Sequence, residues 1–133
     1  MSRRRRISVA ERRQGVGRAG EEAAVQFLHE QGYRVVERNY RCRFGEIDLI
    51  ARDGETLAFI EVKTRRSRAF GPPALAVTTE KQRHLVKASQ MYLAQRGKAC
   101  EFCRFDVVTI EMDAHTLQME IIKNAFQPGS EMG

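Results

Sequence analysis

Two acidic residues and one basic residue, Asp48, Glu61 and Lys63, stand in the segment GEIDLIARDGETLAFIEVK. On either side of Asp53 and Gly54, apolar and polar residues alternate, which is typical of β-strands. The Asp-Gly dipeptide between two such runs indicates a tight β-hairpin. The sequence therefore predicts that the acidic residues and the lysine lie on two paired strands.

The register of this hairpin decides which side chains meet. If the Asp-Gly dipeptide forms the loop, Glu46 lies opposite Glu61, and Asp48 lies diagonally from Glu61 within reach of its side chain. Lys63 follows on the same face, because side chains alternate between the two faces of a strand. The opposite face carries only apolar residues and is expected to be buried: Ile47, Leu49, Ala58, Ile60 and Val62.

Three carboxylates this close repel one another, and Lys63 offsets only one charge. A Mg²⁺ ion would supply the missing positive charge, because it prefers oxygen ligands and takes one or two carboxylates beside waters or phosphate oxygens. An ion held by Asp48 and Glu61 suits hydrolysis of a phosphodiester, since it polarises the phosphoryl oxygen and lowers the pKa of a bound water. A solvent-facing ladder of salt bridges is the alternative interpretation.

A glutamate on the first predicted helix could join these acids. The helix is predicted over Gly17 to Gln31, with Ala24, Phe27 and Leu28 as its apolar stripe. Glu21 falls on that stripe, so its carboxylate points toward the sheet and could reach the same metal. The alternative is that Glu21 only favours the helix dipole in the first turn.

The remaining elements define the fold class. A strand is predicted over Tyr33 to Asn39, and a second helix begins near Thr79, whose spacing to Gln82 fits a capping box, and ends at Gly97. Two further strands flank residues 113–115. The order of helix, three strands, helix and two strands predicts an α/β fold with a mixed five-stranded sheet flanked by helices.

The chain length and charge indicate a single domain with an affinity for polyanions. With 133 residues and a net charge of +6, the chain suits one domain, predicted over residues 15–126, after a flexible basic arm (1–14) and before a disordered tail (127–133). Basic clusters attract nucleic acid. The arginines expected to contact it are Arg18, Arg65, Arg66 and Arg68.

The compartment follows from what the sequence lacks. No apolar run approaches the ~18 residues of a membrane span, and the basic N-terminus is not followed by the apolar segment of a secretory signal. The odd count of three cysteines indicates reduced thiols. We therefore expect a cytoplasmic protein without a membrane partner.

These motifs carry a family resemblance. GEIDLIARDGETLAFIEVKTRR and GRAGEEAAVQFLHEQGYRVVERNYRCRFGEIDLI resemble the YraN-type family of uncharacterised bacterial proteins, from about Gly17 to Gly97. The set of Glu21, Asp48 and Glu61-Val62-Lys63 also resembles the core of the PD-(D/E)XK nuclease superfamily, and its spacing is similar to that of archaeal Holliday-junction resolvases. Here Ile47 stands where the superfamily motif has proline.

The resemblance implies a restriction-endonuclease-like fold, cleavage of DNA that depends on Mg²⁺ or Mn²⁺, and often a homodimer. Carried over by position, it assigns catalysis to Glu21, Asp48, Glu61 and Lys63, the three acids as metal ligands. Gln82 on the second helix is a further candidate to assist. We expect an endonuclease acting on DNA, including branched DNA. The alternatives are a non-catalytic nucleic-acid-binding module that keeps the fold, a nuclease acting on RNA, and a protein-interaction adaptor, which would require an exposed apolar patch.

Overall fold

The structure is a computed structural model that describes residues 2–8, 16–65, 77–97, 102–112 and 116–128; for 2–8, 16–19 and 65 it describes only the backbone. Neither described helix is long and apolar enough to cross a membrane. The elements in chain order are β1 (Ser2–Ser8), α1 (Val16–Glu30), β2 (Arg34–Cys42), β3 (Gly45–Asp53), β4 (Thr56–Arg65), α2 (Thr79–Arg96), β5 (Cys103–Met112) and β6 (Thr116–Phe126).

The predicted mixed α/β sheet is confirmed. The strands lie in the order β1-β6-β5-β4-β3-β2, and only β4 and β5 run parallel among the pairs described. A parallel pair needs a crossover connection, and α2 lies between β4 and β5 in the chain. All five predicted strands form, and one more joins them at the edge.

The sixth strand differs from the expected flexible arm. Ser2–Ser8 forms β1 and pairs antiparallel with β6, from Ser2 opposite Ile122 to Ser8 opposite Thr116. Its sequence lacks apolar alternation, but the backbone groups at the edge of β6 can take partners from any sequence. The rest of the predicted arm, residues 9–14, and the end of the predicted tail, residues 129–133, lie outside the described residues.

Helix α1 covers one face of the sheet with the predicted apolar stripe. Ala24, Phe27 and Leu28 are fully buried. They pack in one cluster with apolar side chains of the central strands: Leu49, Ala51, Ala58, Ile60, Val108 and Ile110. The helix begins at Val16, so Glu21 lies beyond its first turn, which contains no acidic residue. This position removes the interpretation that Glu21 merely caps the helix.

Helix α2 covers the other face. Its N-cap is Thr78, whose side chain accepts a hydrogen bond from the Lys81 amide, one residue before the predicted cap at Thr79. Its C-cap is Gly97 as predicted, with a φ of 66°, a backbone conformation that favours glycine. The buried residues on the sheet side are Leu85, Val86, Ala88, Ser89 and Tyr92.

The hairpin register predicted from the sequence is wrong by two residues. Asp53 pairs with Thr56, so the loop is Gly54-Glu55, and Leu49 lies opposite Ile60. Gly54 has a φ of 63° and takes the first loop position, where positive φ suits glycine. Asp53 stays in the sheet because its carboxylate accepts hydrogen bonds from Arg104 and Lys123.

A second correction concerns Ile47, which packs under α2 rather than with Leu49 on the α1 face. The neighbouring strand explains the change. In β2, Asn39 has a φ of 52°, and both Arg38 and Asn39 bond to residues of α1, whereas Tyr40 packs under α2. Asparagine tolerates this conformation better than most residues. The regular alternation of faces is therefore broken beside Asp48.

Candidate active site

Asp48 stands where β3 and β4 separate. The recorded pairing of these strands ends at Leu49 and Ile60. One step further, the backbone N–H of Val62 donates to Asp48 Oδ2 at 2.8 Å. The side chain thus replaces a β3 carbonyl as the acceptor for β4, and it fixes the direction of the carboxylate. The corrected register also moves Glu61 from a diagonal position to the position facing Asp48.

Glu61 is a buried acid that lacks a full set of partners. Its side chain is only 5% exposed. Within the described residues, its Oε1 atom has no hydrogen-bond partner. Leaving a buried carboxylate oxygen unpaired is costly, because the group loses its water without replacing it. The site therefore holds an acceptor that a bound cation or a proton would satisfy.

Two lysines flank the other oxygen of Glu61. Lys81 Nζ lies 3.7 Å and Lys63 Nζ lies 4.0 Å from Glu61 Oε2. Both distances are too long for strong hydrogen bonds, and both lysine side chains are more than a third exposed. The two ammonium groups therefore balance the local negative charge while remaining free to contact a ligand.

The surroundings raise the pKa of Glu61. Burial raises it most, and the charge of Asp48 raises it further, whereas Lys81 and Lys63 lower it; the result is a pKa of about 7. Near neutral pH this carboxyl group therefore holds its proton more readily than an ordinary glutamate does. Functional sites often contain carboxyl groups with a pKa perturbed in this way.

Glu21 of α1 is bonded to β2, the strand next to Asp48. Its Oε1 accepts a hydrogen bond of 3.0 Å from Asn39 Nδ2. Asn39 lies between the paired positions that flank Asp48 on the neighbouring strand. A Cβ placed on the preceding Gly20 would lie 3.8 Å from Thr64 Oγ1, which puts this part of α1 against the end of β4. Its predicted role as a metal ligand stays a prediction.

The other predicted candidates have different surroundings. Glu46 is paired with Arg41 at 3.2 Å, and Gln82 Nε2 donates to the Val77 carbonyl at 3.1 Å. Both side chains are thus bonded away from Glu61. The arginines expected to bind nucleic acid, namely Arg18, Arg65, Arg66 and Arg68, have side chains outside the described part of the structure.

The acids form a pair. No group of three or more His, Cys, Asp or Glu side chains that could hold a metal ion occurs in the described ranges. Asp48 lies close enough to Glu61 to raise its pKa, but Glu21 does not complete a three-acid cluster with them in the described ranges. Two carboxylates remain enough for Mg²⁺, which commonly keeps waters or phosphate oxygens as its other ligands.

Lys81 was not among the site residues predicted from the sequence. It lies on α2, far from Glu61 in the chain, and no spacing rule joins the two positions. The crossover from β4 to β5 places the first turns of α2 near the end of β4, and this tertiary arrangement brings Lys81 to the site. The only local signal was a basic residue near the N-terminus of a predicted helix.

A second buried acid lies on the opposite face of the sheet. Asp106 of β5 accepts hydrogen bonds from Tyr33 Oη at 2.8 Å, from Arg104 at 2.8 and 2.9 Å, and from the Asn124 amide at 2.9 Å. Arg104 also donates to Asp53 at 2.7 Å. Burial raises the pKa of Asp53, but the hydrogen bonds from Arg104 and Lys123 outweigh it and lower that pKa. This network is fully paired.

The mixed sheet, with a helix on each face and an acidic pair where β3 and β4 separate, is a restriction-endonuclease-like α/β fold. The sequence pattern of the uncharacterised protein family UPF0102 matches residues 20–110. The chain belongs to this family, which confirms the resemblance to the YraN-type proteins.

Individual relatives agree over most of their length. The chain is 49% identical over 111 residues to a UPF0102 protein of Syntrophus aciditrophicus, covering 84% of this chain and 87% of that protein. It is 53% identical over 112 residues to one of Symbiobacterium thermophilum, covering 84% and 95%. It is 47% identical over 114 residues to one of Caldicellulosiruptor saccharolyticus, covering 84% and 96%.

Proposed function

We propose that this protein is a metal-dependent endonuclease that hydrolyses phosphodiester bonds in DNA, including branched or otherwise structured DNA. One observation carries the proposal: Asp48 and Glu61 face each other where two strands separate, and a buried oxygen of Glu61 has no described partner. Lys63 lies beside them with its ammonium group accessible. Carboxylates and a lysine in this arrangement suit phosphoryl chemistry.

The donor set fits Mg²⁺ or Mn²⁺. Both are hard cations that prefer carboxylate oxygens, and the unpaired Glu61 Oε1 is such an oxygen. Asp48 and Glu61 would hold the ion, and Glu21 would act directly or through water. When bound, the ion would polarise a phosphoryl oxygen and lower the pKa of a bound water.

The chain's own residues then have separate roles. The amide of Val62 keeps the Asp48 carboxylate directed by its 2.8 Å hydrogen bond, so the acid is held before substrate arrives. Lys63 is 44% exposed and can turn from Glu61 toward a phosphate oxygen, where its charge stabilises negative charge that develops on phosphorus. Lys81 remains to balance Glu61 when Lys63 turns away.

A non-catalytic nucleic-acid-binding module is the second candidate, and a specific observation favours it. The described residues contain only a pair of acids at the site rather than a cluster of three. A protein that kept the fold without turnover would still bind DNA through its net charge of +6. Its binding would survive the loss of Glu61.

Cleavage assays separate the two candidates. Purified wild-type protein is incubated with Mg²⁺, with Mn²⁺ or with EDTA on linear, flapped and four-way DNA. We expect cleavage only with a metal, and its loss in Asp48→Asn, Glu61→Gln and Lys63→Met. Glu21→Gln and Glu22→Gln form a matched pair, because Glu22 is exposed and paired with Arg38. Glu22→Gln is expected to cleave like wild type, and Glu21→Gln is expected to be slower.

Two results would contradict the nuclease proposal. If wild type and the Asp48→Asn variant cut equally, the activity comes from a contaminant. If no substrate is cut while DNA binding persists in EDTA and in Glu61→Gln, the binding module replaces the enzyme. The same assay on RNA of matched structure decides between DNA and RNA.

Metal binding has a readout that does not need substrate. Ligands that bind only the folded state raise its melting temperature. We expect Mn²⁺ or Mg²⁺ to raise the melting temperature of wild type and Glu22→Gln, and not that of Asp48→Asn or Glu61→Gln. An equal rise in all four proteins would place the ion elsewhere.

A further inference from the structure

Basic side chains follow one flank of α2 away from the acidic pair. Lys81, His84 and Lys87 are spaced three residues apart, so they are neighbours along the helix surface. Lys81 contacts Glu61 at 3.7 Å, which fixes one end of this row at the candidate active site. His84 and Lys87 are exposed. From Lys81 to Lys87 the row is about 9 Å long at 1.5 Å per residue.

The other end of the row meets an aromatic ring. Phe44 lies in the turn between β2 and β3, with Lys87 Nζ 5.8 Å and the Arg43 guanidinium carbon 4.8 Å from its ring centroid. A Cβ placed on Gly45 would lie 3.8 Å from His84 Cβ, so this turn rests against the middle of the row. Phe44 is half-buried against the α2-side core, which holds the ring in place.

Two cations of this surface, Arg43 and Lys87, form no ion pair with a described carboxylate, and each instead contacts the Phe44 ring. By contrast, two other exposed cations, Arg38 and Arg96, are paired with Glu22 and Glu37. Unpaired cations beside an aromatic ring combine a site for phosphates with a surface on which a base can stack.

We propose that this surface, formed by Lys81, His84, Lys87, Arg43 and Phe44, binds a single-stranded segment of nucleic acid as it leaves the acidic pair. The inference rests on the proposed function. It specifies that the nucleotides next to the cleaved bond are single-stranded. A row of about 9 Å is long enough to contact neighbouring phosphates of one strand. Lys87 and His84 contact phosphates, and an unpaired base stacks on Phe44.

The Phe44 ring is the reason that we propose a single strand rather than a duplex. In a duplex the faces of the bases are covered by stacking, so a partly buried phenylalanine gains nothing from it, whereas an unpaired base offers its face. The basic row alone would serve either form, because phosphates are common to both. An endonuclease with this surface cuts beside unpaired nucleotides, such as those of flaps and junctions.

Binding in EDTA tests the proposal without cleavage. Fluorescence anisotropy measures affinity for labelled oligothymidine and for a blunt hairpin duplex with the same number of phosphates, over a range of salt. We expect Phe44→Leu to bind oligothymidine about tenfold more weakly, because stacking on an aromatic side chain contributes strongly to single-strand affinity, and to bind the duplex unchanged. Phe44→Tyr keeps the ring and is expected to bind both like wild type.

Replacing a cation of the basic row is expected to change both the affinity for nucleic acid and its salt dependence. Lys87→Ala is expected to weaken both probes and to reduce the slope of log affinity against log salt by about one, since one phosphate contact is lost. Arg34→Ala removes an exposed charge at the start of β2, and Phe102→Leu removes an exposed ring before β5; both are expected to leave the affinity at the wild-type value.

Each outcome bears on the proposal. Equal weakening of both probes by Phe44→Leu would overturn the single-strand assignment. Wild-type binding by Phe44→Leu and Lys87→Ala, or losses as large in Arg34→Ala, would overturn the surface itself. If these binding results hold but no metal supports cleavage, the proposed nuclease activity fails and the surface stands. If cleavage is found but the Phe44 and Lys87 variants bind like wild type, the surface fails and the nuclease stands.

Discussion

Asp106 and Glu61 are buried to a similar degree, with side chains 0% and 5% exposed, yet their surroundings differ completely. They stand one register position apart on neighbouring strands, since Asp106 pairs with Ile60 and Glu61 with Val107, and they point to opposite faces of the sheet. Asp106 accepts four hydrogen bonds from three residues. One oxygen of Glu61 accepts none within the described residues.

The difference separates an acid that holds the fold together from one that is available for chemistry. A buried carboxylate with every oxygen paired stabilises a defined arrangement, here between Tyr33 at the start of β2, β5 and β6. A buried carboxylate left unpaired is destabilising until a ligand or a proton completes it. Burial alone therefore does not distinguish the two acids in this fold; the missing hydrogen-bond partner of Glu61 does.

The largest change in the free energy of unfolding is expected from replacing Asp106, whose carboxylate oxygens are all hydrogen-bonded. Asp106→Ala leaves Arg104, Tyr33 and the Asn124 amide without their acceptor, and breaking a buried ionic network by removing one partner costs about 3–5 kcal/mol. Urea denaturation followed by circular dichroism measures the free energy of unfolding. Asp106→Asn retains an acceptor oxygen and should lose less. A loss below about 1 kcal/mol for the alanine variant would show that the network is not stabilising.

At high pH, Glu61→Gln is expected to raise the free energy of unfolding, whereas Asp106→Ala lowers it. Because the folded pKa of Glu61 is raised from 4.5 to about 7, its carboxyl group stabilises the fold below pH 4.5, and that stabilisation is lost as pH rises through 7. A shift of this size corresponds to about 3 kcal/mol. In EDTA, the glutamine variant should therefore be more stable than wild type at pH 8, with little difference near pH 4.5.

The pH series for Glu61 includes its own control. Glu46→Gln removes a partly exposed acid from the neighbouring strand and should give a stability profile parallel to that of wild type. If Glu61→Gln also runs parallel to wild type between pH 4.5 and 8, the carboxyl group is paired in solution, and the contrast with Asp106 disappears.

Tyr33→Phe removes one hydrogen bond to Asp106 and is expected to destabilise the fold less than Asp106→Ala does. Tyr33 donates to an ionised acceptor, Asp106, at 2.8 Å, whereas Tyr40 donates to the neutral amide oxygen of Gln95 at 2.7 Å. Hydrogen bonds to charged groups contribute about 1.5–3 kcal/mol and neutral ones about 0.5–1.5 kcal/mol. We expect Tyr33→Phe to lose about 2 kcal/mol and Tyr40→Phe about 1 kcal/mol in urea denaturation. Equal losses would mean that Asp106 is not the charged centre of the network.

The smallest effect is expected at the surface. Arg41 and Glu46 form an ion pair with side chains 77% and 35% exposed, and such pairs contribute little because water screens them. Glu46→Gln should change the free energy of unfolding by less than about 0.5 kcal/mol. A larger change would mean that the end of the β2–β3 hairpin contributes more to the sheet than its exposure suggests.

Local pattern was sufficient to predict most elements of this fold. The apolar spacing of α1, the alternation in β3 and β4 and the glycine after α2 are properties of a few neighbouring residues, and each predicts its element. The hairpin pattern also predicted that Asp48 and Glu61 lie near each other, although it placed them diagonally rather than facing.

What the sequence could not predict depends on distant residues. The two-residue error in the hairpin arose because Asp53 is drawn into the network with Arg104 and Lys123, which are far away in the chain. The break in alternation beside Asp48 follows from the backbone conformation of Asn39 on another strand. The approach of Lys81 to Glu61 depends on where the β4–β5 crossover places α2.

The pairing of Ser2–Ser8 with β6 has a practical consequence for anyone who makes this protein. A recombinant version that begins after Ser8 would present β6 as an open strand, and open strands recruit strands from other molecules. Such a shortened protein should elute as assemblies that grow with concentration, whereas the full-length chain should not. Affinity tags are therefore better attached at the C-terminus, where they do not interfere with the N-terminal strand.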